Sequence, residues 1–198
     1  MPDNSSLDTE TDKPMRADAR RNRARLLDVA EEVFAAEGLA ASTETIARRA
    51  GVGTGTLFRH FPTKDALLSA IVLARVQRLA AAADDHLAND DPAAFTAFFA
   101  HMAEEIATKK AFTDLLAEDS REAAIADPDL VRHLRQTIGL LLARAQDAGA
   151  VRDDVQLPEI MALIVGAAHA VEHAGPDHDR RERILAIILD GLRAKVRR

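Results

Sequence analysis

The chain of 198 residues has no cysteine, no tryptophan and no tyrosine, and its only aromatic rings besides histidine are seven phenylalanines. Without cysteine there is no disulfide framework, thiolate zinc site, iron–sulfur cluster or thiol nucleophile. That fits a reducing compartment, and a cytoplasmic location is expected. Tyrosine catalysis is excluded on the same ground. No apolar run approaches the roughly 20 residues that cross a bilayer, and the polar start MPDNSSLDTETDKP lacks the apolar stretch of an export signal. No membrane association is expected. Strand-length alternation of apolar and polar residues is also missing, as are internal repeats and low-complexity tracts. What remains, 47% hydrophobic and 29% charged residues, is the composition of an ordinary globular chain long enough for one large domain or two small ones.

The charge is unevenly spread. The whole chain carries a formal −6, yet the segment from Lys13 to Lys64 holds ten basic and six acidic residues. A basic end on an acidic body suits a protein that presents one face to phosphates, although a charge run is also what any solvated helix face looks like.

Periodicity near 3.6 residues predicts an all-α fold of about nine helices. The first starts near Asp18, after a tail at 1–15 expected to be disordered, and carries Leu26, Leu27, Ala30, Val33 and Phe34 on one stripe until Gly38 stops it. Ser42 or Thr43 can cap a short second helix ending at Gly51, and Thr54 can cap a third running to His60. Pro62, Pro92, Pro128, Pro158 and Pro176 mark later helix starts, where a missing N–H costs nothing. A shorter helix is expected from Thr113 to about Ala124. Gly149 and Gly175 read as further stops, and the last helix is expected over about Asp179–Val196.

The segment TETIARRAGVGTGTLFRHF satisfies the size rules of a helix-turn-helix. Ala47 lies where two helices approach most closely, Gly51 supplies a positive φ at the turn, and Ile46, Val52 and Leu57 are apolar where the pair must dock. The second helix projects Thr54, Thr56, Phe58, Arg59 and His60 from an N-terminal turn whose N–H groups favour phosphate. Residues 20–72, and GVGTGTLFRHFPTKDALL above all, resemble the DNA-binding domain of the TetR family of transcriptional regulators. The resemblance implies a homodimer on a palindromic double-stranded operator, most often a repressor, released when a small apolar or amphipathic ligand enters the C-terminal part. It implies a DNA-binding domain over 16–62, with the motif at about 42–61, and a ligand-binding and dimerisation domain over 63–198. It also implies DNA contacts from Ser42 and Thr43 at the start of the second helix, from Thr54, Gly55 and Thr56 near the bases, and from His60 and Lys64 to flanking phosphates. Phe58 departs from the family's usual tyrosine and lacks its phosphate-reaching hydroxyl. Arg59 can read guanine in a bidentate manner or contact a phosphate.

Other constellations have plainer alternatives. Phe95, Phe98, Phe99, Met102 and Phe112 gather most of the aromatic content and can line a ligand cavity, with His133 as a polar contact, or form core. Gly166 and Ala170 lie on a small-residue face which, with His173 and with Ile184, Ile188 and Leu192 of the last helix, can pair in a four-helix bundle between subunits. His169 and His173 stand at i and i+4, a spacing that can hold zinc, but no third ligand is evident. No metal and no cofactor are expected. No nucleophile motif accompanies the serines, and no enzymatic activity is expected. Two alternatives to a ligand-released regulator are a helical metal-binding protein or enzyme built on His169 and His173, and a DNA-binding regulator that responds to no ligand.

Overall fold

The computed structural model describes residues 8–89, 91, 93–113 and 127–194. The described residues form eight α-helices and no strand, the class the periodicity predicts. They are α1 (Asp8–Glu37), α2 (Thr43–Arg49), α3 (Thr54–His60), α4 (Lys64–Ala88), α5 (Ala94–Thr113), α6 (Pro128–Asp147), α7 (Leu157–His173) and α8 (His178–Leu192). The shorter helix read at Thr113–Ala124 lies outside the described residues, except for Thr113 itself, which is the last described residue of α5.

The described chain up to Ile71 packs as one unit and the chain from Val72 onward as another. In the first, α1 buries Leu26, Leu27, Ala30, Val33 and Phe34, the stripe expected of it. The helix starts at Asp8, so residues 8–15, expected to be disordered, are helical. An anchored helix grows by cheap propagation steps once its nucleus exists, and an apolar stripe is needed only for the docked part. The first unit also extends past the expected boundary at 62, because Leu67, Leu68 and Ile71 of α4 are buried.

In the second unit, Leu79, Ala80 and Ala83 of α4 share one core with Phe95, Phe98, Phe99 and Met102 of α5, Leu134, Ile138 and Leu141 of α6, and Ile160, Ile164 and Val171 of α7. By length and composition α4 alone among the described helices could cross a membrane, yet Leu67, Leu68, Ile71, Val72, Leu79 and Ala83 on it are buried in protein. Helix ends follow the punctuation. Gly38, Gly51, Gly149 and Gly175 are the positive-φ residues among those described, and each ends a helix. Pro128 and Pro158 sit in the first turns of α6 and α7. Pro176 lies one residue before Asp177, whose side chain caps α8 by accepting from the Arg180 N–H at 3.0 Å. That helix stops at Leu192, where Arg152 N–H donates to the Leu192 carbonyl at 2.9 Å.

Candidate nucleic-acid interface

The α2–α3 pair is a helix-turn-helix whose geometry follows from four residues. Ser42 caps α2, its hydroxyl accepting from the Thr45 N–H at 3.1 Å. Ala47 is 1% exposed at the crossing, so no larger side chain fits without pushing the helices apart. At the far end Gly51, with φ at 67°, lets its N–H reach the Arg48 carbonyl at 3.1 Å and the Val52 N–H reach the Ala47 carbonyl at 3.0 Å. This paired closure satisfies two orphan carbonyls of α2 and sets the turn into α3. Gly53, not Thr54, is the N-cap of α3, and it offers no side-chain acceptor to the first turn. Leu57 alone of α3 is buried, leaving the rest of its surface outward.

Ser42, Thr54, Gly55, Phe58 and Arg59 are exposed, and Thr43, Thr56 and His60 are half-buried. Phe58 is 43% exposed, an apolar ring standing in solvent on the face that the motif presents. His60 leans on Phe61 with ring centroids 6.2 Å apart. Phe61 is 2% exposed and closes α3 through its N–H to the Leu57 carbonyl at 2.8 Å.

Lys64, expected at a phosphate, has partners within the protein. Its ammonium donates to the Leu39 carbonyl and, at 2.9 Å, to the Ala41 carbonyl, and lies 5.5 Å from the centroid of the Phe34 ring. The side chain therefore ties the start of α4 to the α1–α2 loop that carries the cap of α2. A Lys just after the capped turn gave no sequence signal for this, because the two acceptors are backbone oxygens more than twenty residues away.

In the second unit a cavity of about 210 Å³ is lined by Leu73, Val76 and Leu79 of α4, Met102 and Ile106 of α5, Leu130, Val131, Leu134, Arg135 and Ile138 of α6, Met161 of α7, and Asp127. Of the expected pocket residues only Met102 lines it. Phe95, Phe98 and Phe99, each 2% exposed or less, belong to the shared core of the second unit, with Phe98 edge-on to His86 of α4 at 5.8 Å. The Phe112 side chain lies outside the described residues. His133 turns away to Asp84. The sequence signal for this cavity's lining is that α4 is apolar on a second face, Leu73 and Val76, beyond what one packing stripe requires.

Asp84 accepts from His133 Nε2 at 2.9 and 3.0 Å and from the Thr137 hydroxyl at 3.2 Å. Those hydrogen bonds, His133 first, hold its carboxyl below the ordinary value against a smaller opposing effect of burial. A carboxylate made more acidic by folding stabilises fully above the unfolded value near 4 and loses that contribution as pH falls through the depressed folded value. Asp84→Asn is therefore expected to leave stability at pH 7 changed only slightly and to flatten its decline below about pH 4; an unaltered acid-unfolding curve counts against the assignment. Beside this cluster, Arg144 donates to the carbonyls of Leu87 and Asn89 at 2.7 and 2.8 Å, so α6 holds the end of α4 at two places.

On α7, Leu163, Gly166, Ala170 and His173 recur at helical spacing. Leu163 is 39% exposed, and a side chain built on Gly166 would meet only open space. On α8, Ile187 is 72% exposed beside half-buried Ile184 and Ile188. Leu192, expected on this face, is 3% exposed and belongs to the core, where the Leu192 carbonyl closes on Arg152. Leu163 and Ile187 are thus exposed apolar side chains on the same two helices. His173 Nδ1 sits 3.1 Å from the His169 carbonyl, and His169 is 3.7 Å from Glu172. No group of three or more metal-ligating side chains occurs among the described residues.

Known proteins share this arrangement. Residues 26–71 match the family of bacterial regulatory proteins, tetR family, and residues 90–194 match the C-terminal domain described as transcriptional regulator SbtR-like. The crystal structure of a TetR transcription regulatory protein from Mycobacterium vanbaalenii is 42% identical with a TM-score of 0.72, covering 91% of this chain and 100% of that one. That of the TetR transcriptional regulator SCO0520 from Streptomyces coelicolor is 33% identical with a TM-score of 0.70, covering 88% and 99%. The HTH-type transcriptional repressor Rv1474c of Mycobacterium tuberculosis is 30% identical over 189 residues, 89% of this chain and 93% of that protein. With its outward-facing α3 on a helix-turn-helix and an all-helical body that both match, the chain belongs to the TetR family of DNA-binding transcriptional regulators.

Proposed function

We propose that the protein is a homodimeric repressor whose two α3 helices occupy an inverted-repeat operator, and that a small apolar molecule filling the body cavity releases it. One observation carries the ligand half of this reading. Helix α4 contributes Leu67, Leu68 and Ile71 to the first unit and Leu73, Val76 and Leu79 to the cavity wall of the second, so one continuous helix leads from the first unit into the cavity wall. The cavity is below the roughly 300–1,000 Å³ of drug-sized sites, which favours a compact occupant. Such a molecule acts only through its different affinity for the DNA-bound and free states, and about 100-fold, near 2.7 kcal/mol, gives clear induction. Footprinting on the DNA beside the protein's own gene is expected to protect two half-sites about 34–36 Å apart or a multiple of that. Asymmetric protection of a lone half-site overturns the dimeric reading. Val76→Trp, which adds bulk to the cavity wall, is expected to keep operator binding and lose response to any inducer; a full response in that variant removes the cavity from the mechanism.

In this reading Thr43, Thr54, Gly55 and Thr56 approach the DNA, Arg59 reads a base or holds a phosphate, and Phe58 supplies apolar contact without a hydroxyl. Phe58→Tyr restores a donor on the exposed ring. A neutral hydrogen bond nets about 1 kcal/mol, so operator affinity is expected to rise between a few-fold and tenfold in mobility-shift titrations. Weaker binding means the ring faces a place where a hydroxyl is unwelcome.

A further inference from the structure

We propose that the body cavity takes a small amphipathic acid, its hydrocarbon part inside and its carboxylate at the mouth against Arg135; this rests on the reading of that cavity as a ligand site. Of the twelve residues that line it, ten are apolar and two, Asp127 and Arg135, carry charge. Burial separates its depth from its mouth. Leu79, Met102, Leu134 and Ile138 are each 7% exposed or less, whereas Val131 is 44% exposed. Arg135, one turn further along the same face of α6, is exposed as well. The inner end therefore favours hydrocarbon, and the outer end suits a group that keeps part of its water.

What stands at the mouth decides the sign of that group. The three arginines of α6 differ in what they hold. Arg132 pairs with Asp129 at 2.7 Å, and Arg144 donates to the carbonyls of Leu87 and Asn89. Arg135 has no hydrogen bond or ion pair among the described residues. It brings to the lining five N–H donors in a planar fork. Asp127 does not cancel it. The Asp127 carboxylate caps α6, accepting from the Leu130 N–H at 3.0 Å, where the positive end of the helix already holds it. It also stands eight residues from Arg135, about 12 Å along the helix. The guanidinium is thus the charge left for an occupant, and one cation matches one singly charged head.

A guanidinium takes a carboxylate in a bidentate manner. A primary amide of nearly the same shape offers one neutral acceptor in its place. Hydrogen bonds to charged groups exceed neutral ones by an amount that corresponds to about fivefold to tenfold in affinity, and water at the open mouth holds the gain to that order.

The test titrates the full-length protein by calorimetry with hexanoate and phenylacetate, each beside its primary amide, and with hexylamine. Both acids are expected to bind about fivefold to tenfold tighter than their amides, and hexylamine more weakly than the acids. Arg135→Gln, at an exposed position, is expected to remove the preference for the acids and leave the affinity for the amides unchanged; Arg135→Lys is expected to keep part of the preference. Val76→Trp is expected to abolish binding of acids and amides alike, with circular dichroism melts checking that each variant is folded. If acids and amides bind equally, or the Arg135→Gln variant keeps the preference, the carboxylate assignment is overturned, while loss of binding in Val76→Trp leaves the cavity reading standing. Tighter binding of hexylamine overturns it too, in favour of Asp127. If binding persists in folded Val76→Trp, or no probe binds the wild type, the cavity reading falls and this proposal with it.

Discussion

Lys64→Met is expected to melt well below the wild type, and to do so at every salt concentration. The ammonium makes two charge-assisted hydrogen bonds, to the carbonyls of Leu39 and Ala41, and lies over Phe34. Hydrogen bonds to charged groups are each worth about 1.5–3 kcal/mol, and the orphaned carbonyls add to the loss; the ring contributes about 0.5–1 kcal/mol at a site open to solvent. Lys64 is half-buried, and water replaces part of what is removed. A net cost of about 2–4 kcal/mol follows, or a fall of roughly 5–15 °C for a chain of this size. DNA binding should weaken as well, because the loop that Lys64 holds carries Ser42 and so sets the start of α2. A phosphate role predicts a different pattern: an unchanged melting temperature with the salt slope reduced by about one. Calorimetry and a salt titration on the same variant separate the two, and that second pattern would falsify the structural assignment.

The second large effect concerns self-association. Leu163→Glu on α7 and Ile187→Glu on α8 are each expected to turn the dimer into monomers at micromolar concentration. Ile187 is 72% exposed and Leu163 39%, so neither substitution disturbs the core of one chain. If the faces meet in a subunit interface, each introduced carboxylate is buried twice by symmetry and finds no partner, and an uncompensated buried charge costs about 3–5 kcal/mol. That corresponds to a dissociation constant higher by roughly 100-fold to several thousand-fold. Light scattering should report the monomer mass while circular dichroism stays helical, and operator affinity should collapse with the loss of the second half-site. Gly166→Leu tests the same surface by size. The added side chain meets open space in one protomer, so any effect comes from the partner. Dimers that survive all three substitutions place the interface elsewhere.

How much could be read from the residues alone depended on whether the deciding interaction was local. Gly38, Gly51, Gly149 and Gly175 are legible because a positive φ at a helix end is a property of one residue and its neighbours, and all four have it. The helix-turn-helix is legible for the same reason, since Ala47, Gly51 and Leu57 meet over ten residues. The stripe of α1 gave its docked part but not its start at Asp8, because apolar spacing reports where a helix docks and says nothing of where it continues. The partners of Lys64 were not legible because its acceptors are carbonyls of a distant loop, which carry no side-chain signature. Phe95, Phe98 and Phe99 drew the pocket to themselves as the conspicuous rings, yet large rigid rings pack well enough to leave no space. The cavity instead lies among Leu, Ile, Val and Met, whose arrangement depends on how four helices are juxtaposed, a matter that periodicity does not contain.

Helix α4 is held at its far end by Arg144 on the carbonyls of Leu87 and Asn89 and by the Asp84 cluster, while its first residue, Lys64, is tied to the loop before α2. Twenty-five residues make about 37 Å of helix, and at each of its ends a cationic side chain is fastened to backbone carbonyls. Neither terminus of α4 is left to fray, so hydrogen exchange in its first and last turns is expected to be slow for helix ends.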